Sequence, residues 1–169
     1  SDGDVKRYDL SRATEIKENC RQAKRGFKRD DHRVMKHLYC KYGRIQKNKV
    51  SWILHNTSAG IVRQAKEKRF GVVMENIKGI RRLYRKGNWQ GRDHRAKMNG
   101  WNYAELQRQI EYKARLEGIP VFYVHASKTS STCAACGCKI AECAGRRVYC
   151  PNCDKLVDRD ENAALNILS

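Results

Sequence analysis

Four cysteines near the end of the chain stand as two C-x-x-C pairs, Cys133 with Cys136 and Cys150 with Cys153, thirteen residues apart. One such turn places two thiolates within reach of a tetrahedral ion at roughly 2.3 Å, and the second turn completes a closed Cys₄ site. Gly137 after the first pair and Pro151-Asn152 inside the second supply the tight turns. A closed site leaves no open coordination position, so the ion, here expected to be one Zn²⁺ per chain, is structural. Its binding free energy becomes folding free energy for a segment almost without an apolar core. Cys138 and Cys143 stand outside the ligand set, because Cys138 lies only two positions from Cys136 and is awkwardly placed for the same ion. Cys20 and Cys40 have no partner pattern and read as buried small hydrophobes. His125 reads as a locally satisfied histidine.

Carboxylates come next. Asp158 and Asp160 sit just after the cysteines, at the mouth of a short final helix. Asp160 is an obvious N-cap for that helix, and Asp158 sits near the same positive helix end. Glu75 follows an apolar run, Phe70 to Met74, where a buried strand emerges. In an open α/β sheet that is the edge at which ligands bind. If strand and helix pack together, Glu75 and one aspartate can share Mg²⁺ ions, which in two-metal sites lie roughly 3.5–4 Å apart. Spacing alone leaves both capping and metal ligation open.

The chain of 169 residues has room for one domain and a small appendage. It carries 36 Lys and Arg against 18 Asp and Glu, a formal net charge of +18. Such an excess concentrates polyanions, and nucleic acid is favoured over acidic proteins or membrane surfaces as the partner. No run approaches the roughly 20 apolar residues of a membrane span, and no secretory signal pattern is present. A reducing cytosol is then the expected compartment, where clustered cysteines read as metal ligands before disulfides. The opening SDGDVKRYDL lacks an initiator methionine and reads as a processed product or an expressed fragment.

The positioning elements follow from periodicity. Residues 5–9 form a short extended piece, and a helix capped by Ser11 runs to about Ala23. A long helical pattern starts near Asp31, with Val34, Leu38, Tyr42, Ile45, Trp52 and Ile53 on its apolar face. Together they make a helical hairpin, residues 11–67, with a basic outer face. The strand 70–74 is apolar on both faces. Residues 78–100 read as a flexible basic loop in which Arg81, Arg82, Tyr84, Arg85, Lys86, Trp89, Arg92 and Arg95 mix cations with aromatics, the ingredients of a single-strand binding surface. A helix capped by Asn102 runs to Glu117 with Leu106, Ile110, Ala114 and Leu116 inward, and Gly118 stops it. Residues 119–124 form a second buried strand. The final helix, 160–168, turns Ala163, Ala164, Ile167 and Leu168 inward. Alternating strands and helices favour α/β with parallel pairing, and two strands are too few for a stable sheet.

In order along the chain, Val72-Val73-Met74-Glu75-Asn76-Ile77, Gln107-x-x-Ile110-Glu111-Tyr112-Lys113-Ala114, Ser130-Ser131-Thr132-Cys133-x-x-Cys136-Gly137, Tyr149-Cys150-Pro151-x-Cys153 and Asp158-Arg159-Asp160-x-Asn162-Ala163-Ala164-x-Asn166-Ile167-Leu168 resemble the TnpB (OrfB) family. These are transposon-encoded proteins with a RuvC-like nuclease domain, related to the type V CRISPR effectors. The resemblance implies an α/β, RNase H-like (RuvC-like) fold lacking its first strands, with a partial nuclease core over residues 1–126, an inserted zinc ribbon over 127–157 and a closing helix over 158–169. It makes Glu75 the second catalytic carboxylate and Asp160 the third, with Asp158 in a supporting role. It also implies Mg²⁺-dependent cleavage of DNA directed by a guide RNA transcribed from the transposon end.

One departure matters. The family's first carboxylate lies in a pattern like Ile-Asp-x-Gly, and no such stretch occurs here; Asp2, Asp4 and Asp9 are poor replacements. The family's N-terminal nucleic-acid-binding region is absent too. The expectation is therefore a C-terminal nuclease fragment that binds nucleic acid and cuts poorly alone. The competing reading is a non-catalytic zinc-ribbon binder or transposition regulator, in which the acids are only caps and solvated charges. A zinc-stapled protein adaptor fits so basic a surface least.

Overall fold

A computed structural model of the chain describes residues 4–27, 32–77, 79–125, 129–143 and 145–168. The expected start of the long helix at Asp31, the residue Asp2 and the boundary at 126/127 lie outside the described residues.

Helix α1 (Ser11–Arg25) packs along the much longer α2 (His32–Lys68). Ser11 is not the cap of α1. Its backbone N–H and its hydroxyl both donate to the carboxylate of Asp9, at 2.8 and 2.9 Å, and this holds the Asp9 carboxyl below its usual range. The buried side of α2 is Val50, Leu54, Ser58, Val62 and Ala65, steps of three and four that make one stripe. Val34 and Trp52, assigned from sequence to the apolar face, are exposed instead, Trp52 at 67%. The α2 sequence offers apolar residues on more than one side, and packing of Ala13 and Leu106 against Val50 and Leu54 selects this one. Cys20 is buried as expected, but Cys40 is exposed on α2.

Strand β1 (Val72–Asn76) pairs in parallel with β2 (Val121–His125), from Val72 opposite Val121 to Asn76 opposite His125. Neither strand is covered on both faces. Only Met74 of β1 is buried, and Phe122 and Tyr123 of β2 are exposed. The connection is more ordered than the loop read from sequence. It contains a 3-10 turn, Ile80–Tyr84, then α3 (Arg92–Asn99) and α4 (Tyr103–Leu116). Gly79, at φ 82°, opens the turn in the left-handed region that favours glycine. Gly118, at φ 69°, closes α4 in the same way. Asn102 does not cap α4; its Oδ1 accepts from the ammonium of Lys17 at 2.5 Å. Leu116, read as inward, is exposed.

The main core joins Val62 and Ala65 of α2, Met74 of β1, Ile110 and Ala114 of α4, and Ile119. Leu106 borders both this cluster and the α1–α2 cluster, making α4 the shared wall. Between α2 and α4 lies a fully buried polar contact, in which the Ser58 hydroxyl donates to Gln109 Oε1 at 3.2 Å; within α4, Gln109 Nε2 donates to the half-buried Glu105 at 2.8 Å. Satisfied polar groups at such depth fix one register of the two helices, since an unpaired alternative costs about 1–3 kcal/mol.

The cysteine segment is a separate small sheet, β3 (Ala141–Glu142), β4 (Arg147–Cys150) and β5 (Lys155–Asp158), all antiparallel. Its core is Cys133, Ile140, Val148 and Cys150. Helix α5 (Arg159–Leu168) follows β5 directly and packs against β1. Its inner residue is Asn162, not the expected Ala164 and Leu168, which are exposed. Among the described residues, no helix is long and apolar enough to cross a membrane.

Candidate metal centre and carboxylate site

The four predicted cysteines converge. Their sulfurs all lie within 4.8 Å of one another, with Cys133 and Cys153 at 3.9 Å and Cys136 and Cys150 at 3.5 Å. A tetrahedron with metal–sulfur bonds of ~2.3 Å has edges of ~3.8 Å, so the donor set fits one tetrahedral ion. Local backbone builds the first knuckle: Cys133 N–H donates to Cys138 C=O, and Gly137 N–H to Cys133 C=O, both at 2.8 Å. Gly137 takes φ 72°, so the glycine is required where the turn reverses. Asp154 closes the second knuckle at φ 51°. The crowding of thiols is legible in their acidity. The Cys138 backbone N–H, with the Asn152 side chain second, brings Cys136 down to about 6, while hydrogen bonds that the Cys153 thiol donates to Cys136 and Cys150 push Cys153 up to about 12. One thiolate forms readily and suppresses the next, an arrangement that a dication relieves. Cys138 and Cys143 are exposed and outside the cluster. His125 ends β2 and is exposed, away from this group.

The acids are arranged differently from the sequence expectation. Asp158, not Asp160, caps α5. Its Oδ1 accepts the backbone N–H groups of Asp160 at 2.9 Å and Glu161 at 3.3 Å, the N-cap pattern for a residue one before the helix. Those two bonds, ahead of the Arg7 guanidinium, hold the Asp158 carboxyl below its usual range. Arg7 reaches from the N-terminal segment to Asp158 at 3.0 Å and Glu161 at 2.7 Å. Freed from capping, Asp160 is exposed and pairs with Arg146 at 3.1 Å. Glu75 is half-buried on β1, where the Thr129 hydroxyl donates to its Oε1 at 2.7 Å. Gln107 Nε2 donates to the Glu75 carbonyl at 2.8 Å, tying the strand to α4. Among the described residues, the group of three or more potential ligands that forms is the Cys₄ set. Glu75 and Asp160 sit on elements that pack together, β1 and α5, with separate partners. Asp4 pairs with Lys68 at 2.8 Å and Asp9 accepts from Ser11, so neither joins them.

The basic segment divides into an open side and an inward side. Arg81, Arg82, Arg85, Lys86 and Arg92 are exposed, and Trp89 is fully exposed at φ 56°. Tyr84 is half-buried with its ring edge-on to His94 at 6.1 Å, and Arg95 turns inward to the Gln90 carbonyl. Asn88 Nδ2 donates to Leu83 C=O at 3.0 Å, which helps to shape the turn.

Sequence reasoning gave no role to Thr129, Asn162 or Asn166. Asn162 is 3% exposed and pairs in both directions with the first knuckle: Ala134 N–H donates to its Oδ1 at 2.9 Å, and its Nδ2 donates to Thr132 C=O at 2.7 Å. An asparagine kept inside a helix carries the signal, since helix interiors disfavour it unless the amide is used.

Known proteins match the chain along most of its length. Residues 103–167 match the family model described as the Cas12f1-like TNB domain. A TnpB-like protein of Methanocaldococcus jannaschii is 36% identical over 133 residues, covering 79% of this chain and 47% of that protein. The CRISPR-associated endodeoxyribonuclease Cas12f2 of a Micrarchaeota archaeon is 32% identical over 130 residues, covering 70% of this chain and 23% of that protein. The fold matches a chain in a cryo-EM structure of a Cas12f1–sgRNA–target DNA complex, with a TM-score of 0.70 and 21% identity over 97% of this chain and 44% of that one. The chain thus spans less than half the length of each of these relatives. Within that span it belongs to the TnpB family.

Proposed function

We propose that the chain supplies the carboxylate-bearing half of a metal-dependent, RNA-guided DNA endonuclease, with Glu75 and Asp160 as Mg²⁺ ligands. The observation that carries this reading is Glu75 at the exit of a parallel strand against which the acidic helix α5 packs. That is the strand edge where α/β sheets place their ligands. A bound Mg²⁺ would polarise the scissile phosphate and activate the attacking water. The Thr129 hydroxyl donates to one Glu75 oxygen, and a bound Mg²⁺ would take the other. Asp158, occupied in capping α5 and pairing with Arg7, orients the helix rather than reacting. The Cys₄ site holds Zn²⁺ as a structural ion, and the donor set of four thiols at tetrahedral spacing supports that choice. Nucleic acid, DNA and guide RNA alike, lies along the exposed Arg81, Arg82, Arg85, Lys86 and Arg92, with Trp89 as a stacking platform.

Two observations favour a second reading, a binding module without cleavage. The Asp160 carboxylate is exposed and neutralised by Arg146, and one relative, 40% identical over 53 residues, is named as the CRISPR-associated DNA-binding protein Cas12m. The two readings separate in one assay. The longest protein encoded by the reading frame containing this chain is assayed with guide RNA for Mg²⁺-dependent cleavage of DNA. Glu75→Gln and Asp160→Asn abolish cutting while binding persists, and Asp158→Asn serves as the capping control. Equal cutting by both variants overturns the carboxylate assignment. Binding without cutting by the unaltered protein favours the module.

A further inference from the structure

We propose that Thr129, with Asn166 behind it, is a positioning residue that transmits the state of the Cys₄ knuckle to the Glu75 carboxylate. The inference uses the reading of Glu75 as a ligand only for its consequence; the coupling itself stands on hydrogen bonds. Residues 129–134 run along α5, fastened by two asparagines four positions apart, which puts both on one helix face. Asn162 grips Thr132 C=O and Ala134 N–H, the residues on either side of Cys133. Asn166 Nδ2 donates to Thr132 C=O and Thr129 C=O, both at 2.8 Å. Thr132 C=O therefore accepts from both amides, which occupies the two lone pairs of that oxygen. At the far end, the Thr129 hydroxyl donates to Glu75 Oε1 at 2.7 Å. Thr132, Asn166 and Thr129 thus join Cys133 to the Glu75 carboxylate without a gap.

The arrangement has a directional consequence. The knuckle backbone is set by Cys133, which is buried and shares the four-sulfur cluster. When the ion leaves, Cys133 and its neighbours lose their anchor, and the asparagine clamps lose fixed acceptors. Thr129 then no longer holds one rotamer of Glu75. A chain of charge-assisted and neutral bonds of this length orients its last member strongly. The bland alternative is that the asparagines only pack α5 onto the ribbon, in which case Glu75 is indifferent to the knuckle.

The test uses the whole chain labelled with ¹³C at the glutamate carboxyl, with the Glu75 resonance assigned by its loss in Glu75→Gln. Cobalt in the Cys₄ site reports knuckle integrity by its thiolate absorption. Removing zinc from the wild-type chain shifts the Glu75 resonance. Thr129→Val, which keeps the shape and deletes the donor, produces a shift with zinc bound, and zinc removal then adds nothing further. Asn166→Leu gives the same response with the cobalt spectrum unchanged, and amide protection of residues 72–76 falls about tenfold or less, as for one lost hydrogen bond. If Asn166→Leu does not fold, Thr129→Val decides alone. A Glu75 resonance that is unmoved by Thr129→Val, or that responds to zinc equally in variant and wild type, overturns the proposal. Neither outcome depends on cleavage, so a failure here is distinct from a failure of the nuclease reading.

Discussion

Arg146 Nη1 donates to Asp160 Oδ2 at 3.1 Å, tying the turn between β3 and β4 to the first turn of α5. Both side chains are largely exposed, at 79% and 68%. An exposed pair of this kind contributes at most about 1 kcal/mol and is screened by salt. A divalent cation competing for Asp160 therefore displaces Arg146 at little cost. In the proposed nuclease, Arg146→Ala lowers the Mg²⁺ concentration for half-maximal cleavage by up to about fivefold, the equivalent of that 1 kcal/mol. A Mg²⁺ titration of the initial cleavage rate measures it. An unchanged midpoint removes Asp160 from the metal site.

The knuckle yields a metal prediction that separates its six cysteines. Cys150 is buried in the ribbon core beside Val148, and Cys136 lies 3.5 Å from it. Cys150→Ser removes one thiolate from a closed site and takes the metal with it, because the ribbon core is too small to fold without the ion. Cys138 is exposed, and its contribution to the first knuckle is its backbone: its C=O accepts from Cys133 N–H, and its N–H bonds Cys136 Sγ. Cys138→Ser retains the metal. Elemental analysis after dialysis finds about one zinc per chain in wild type and Cys138→Ser, and none in Cys150→Ser. Loss of metal in both places Cys138 among the ligands.

Helix α2 gives the sharpest contrast between what its sequence suggests and what its packing selects. Leu54 is 1% exposed and fills the cluster with Ala13 and Val50, whereas Trp52 stands in solvent. Leu54→Ala loses about 2–5 kcal/mol through transfer and cavity terms. Trp52→Ala changes stability by less than about 0.5 kcal/mol, as for surface positions generally. Urea denaturation of the two variants tests this directly. A larger loss from Trp52→Ala places α2 a residue face away from the packing described.

The same contrast explains what the residues disclosed in advance. The knuckle was legible because its ligands, Gly137 and the Pro151-Asn152 turn are local, and local spacing fixes local geometry. The α5 acids were half legible. Both aspartates flank the helix start, and only the path of β5 into α5 makes Asp158 the cap and leaves Asp160 for Arg146. Residues 78–100 read as a loop because Gly79, Gly87 and Gly91 punctuate them, yet α3 forms from Arg92 once Gly91 has turned the chain. Thr129 was invisible, since its link to Glu75 spans 54 positions and depends on α5 bringing the ribbon over β1. Long-range contacts of single polar residues leave no periodic trace.

The exposed basic side of the 3-10 turn and α3 makes a salt prediction. Arg81, Arg82, Arg85, Lys86 and Arg92 are each exposed, so on the proposed reading a single strand bound along them releases counterions. For single strands the slope of log affinity against log salt changes by about 0.7 per phosphate contact. Replacing Arg81 and Arg82 with Gln flattens the slope by up to about 1.4, twice that increment. Trp89→Ala weakens binding by about 1–3 kcal/mol with the slope unchanged, because stacking releases no ions. Fluorescence anisotropy at several salt concentrations separates the two effects. A slope indifferent to both arginines moves the binding surface elsewhere.

Acid reaches the α2–α4 register through Glu105. Bidentate hydrogen bonds from Arg108, at 2.7 and 2.9 Å, come first among the causes that bring the Glu105 carboxyl from 4.5 down to about 2. The same carboxylate accepts from Gln109 Nε2, whose Oε1 accepts from Ser58. The folded state therefore holds this proton more weakly than the unfolded chain does. The stabilising contribution is complete above about pH 4.5 and is lost as pH falls towards about 2, in the sense that linkage requires for a depressed carboxyl. Between those limits the unfolded chain takes up the proton while the folded Glu105 stays ionised; only as pH falls through about 2 does Gln109 lose its ionised acceptor. Glu105→Gln keeps an acceptor oxygen but no charge, so its unfolding free energy varies less with pH over that window. Urea midpoints from pH 5 to pH 2.5 measure the difference, with Glu117→Gln as an exposed control at the far end of α4. Parallel curves for wild type and Glu105→Gln place the acid response of the helix pair in another carboxylate, and Asp158 at the cap of α5, also depressed, is then the next to replace.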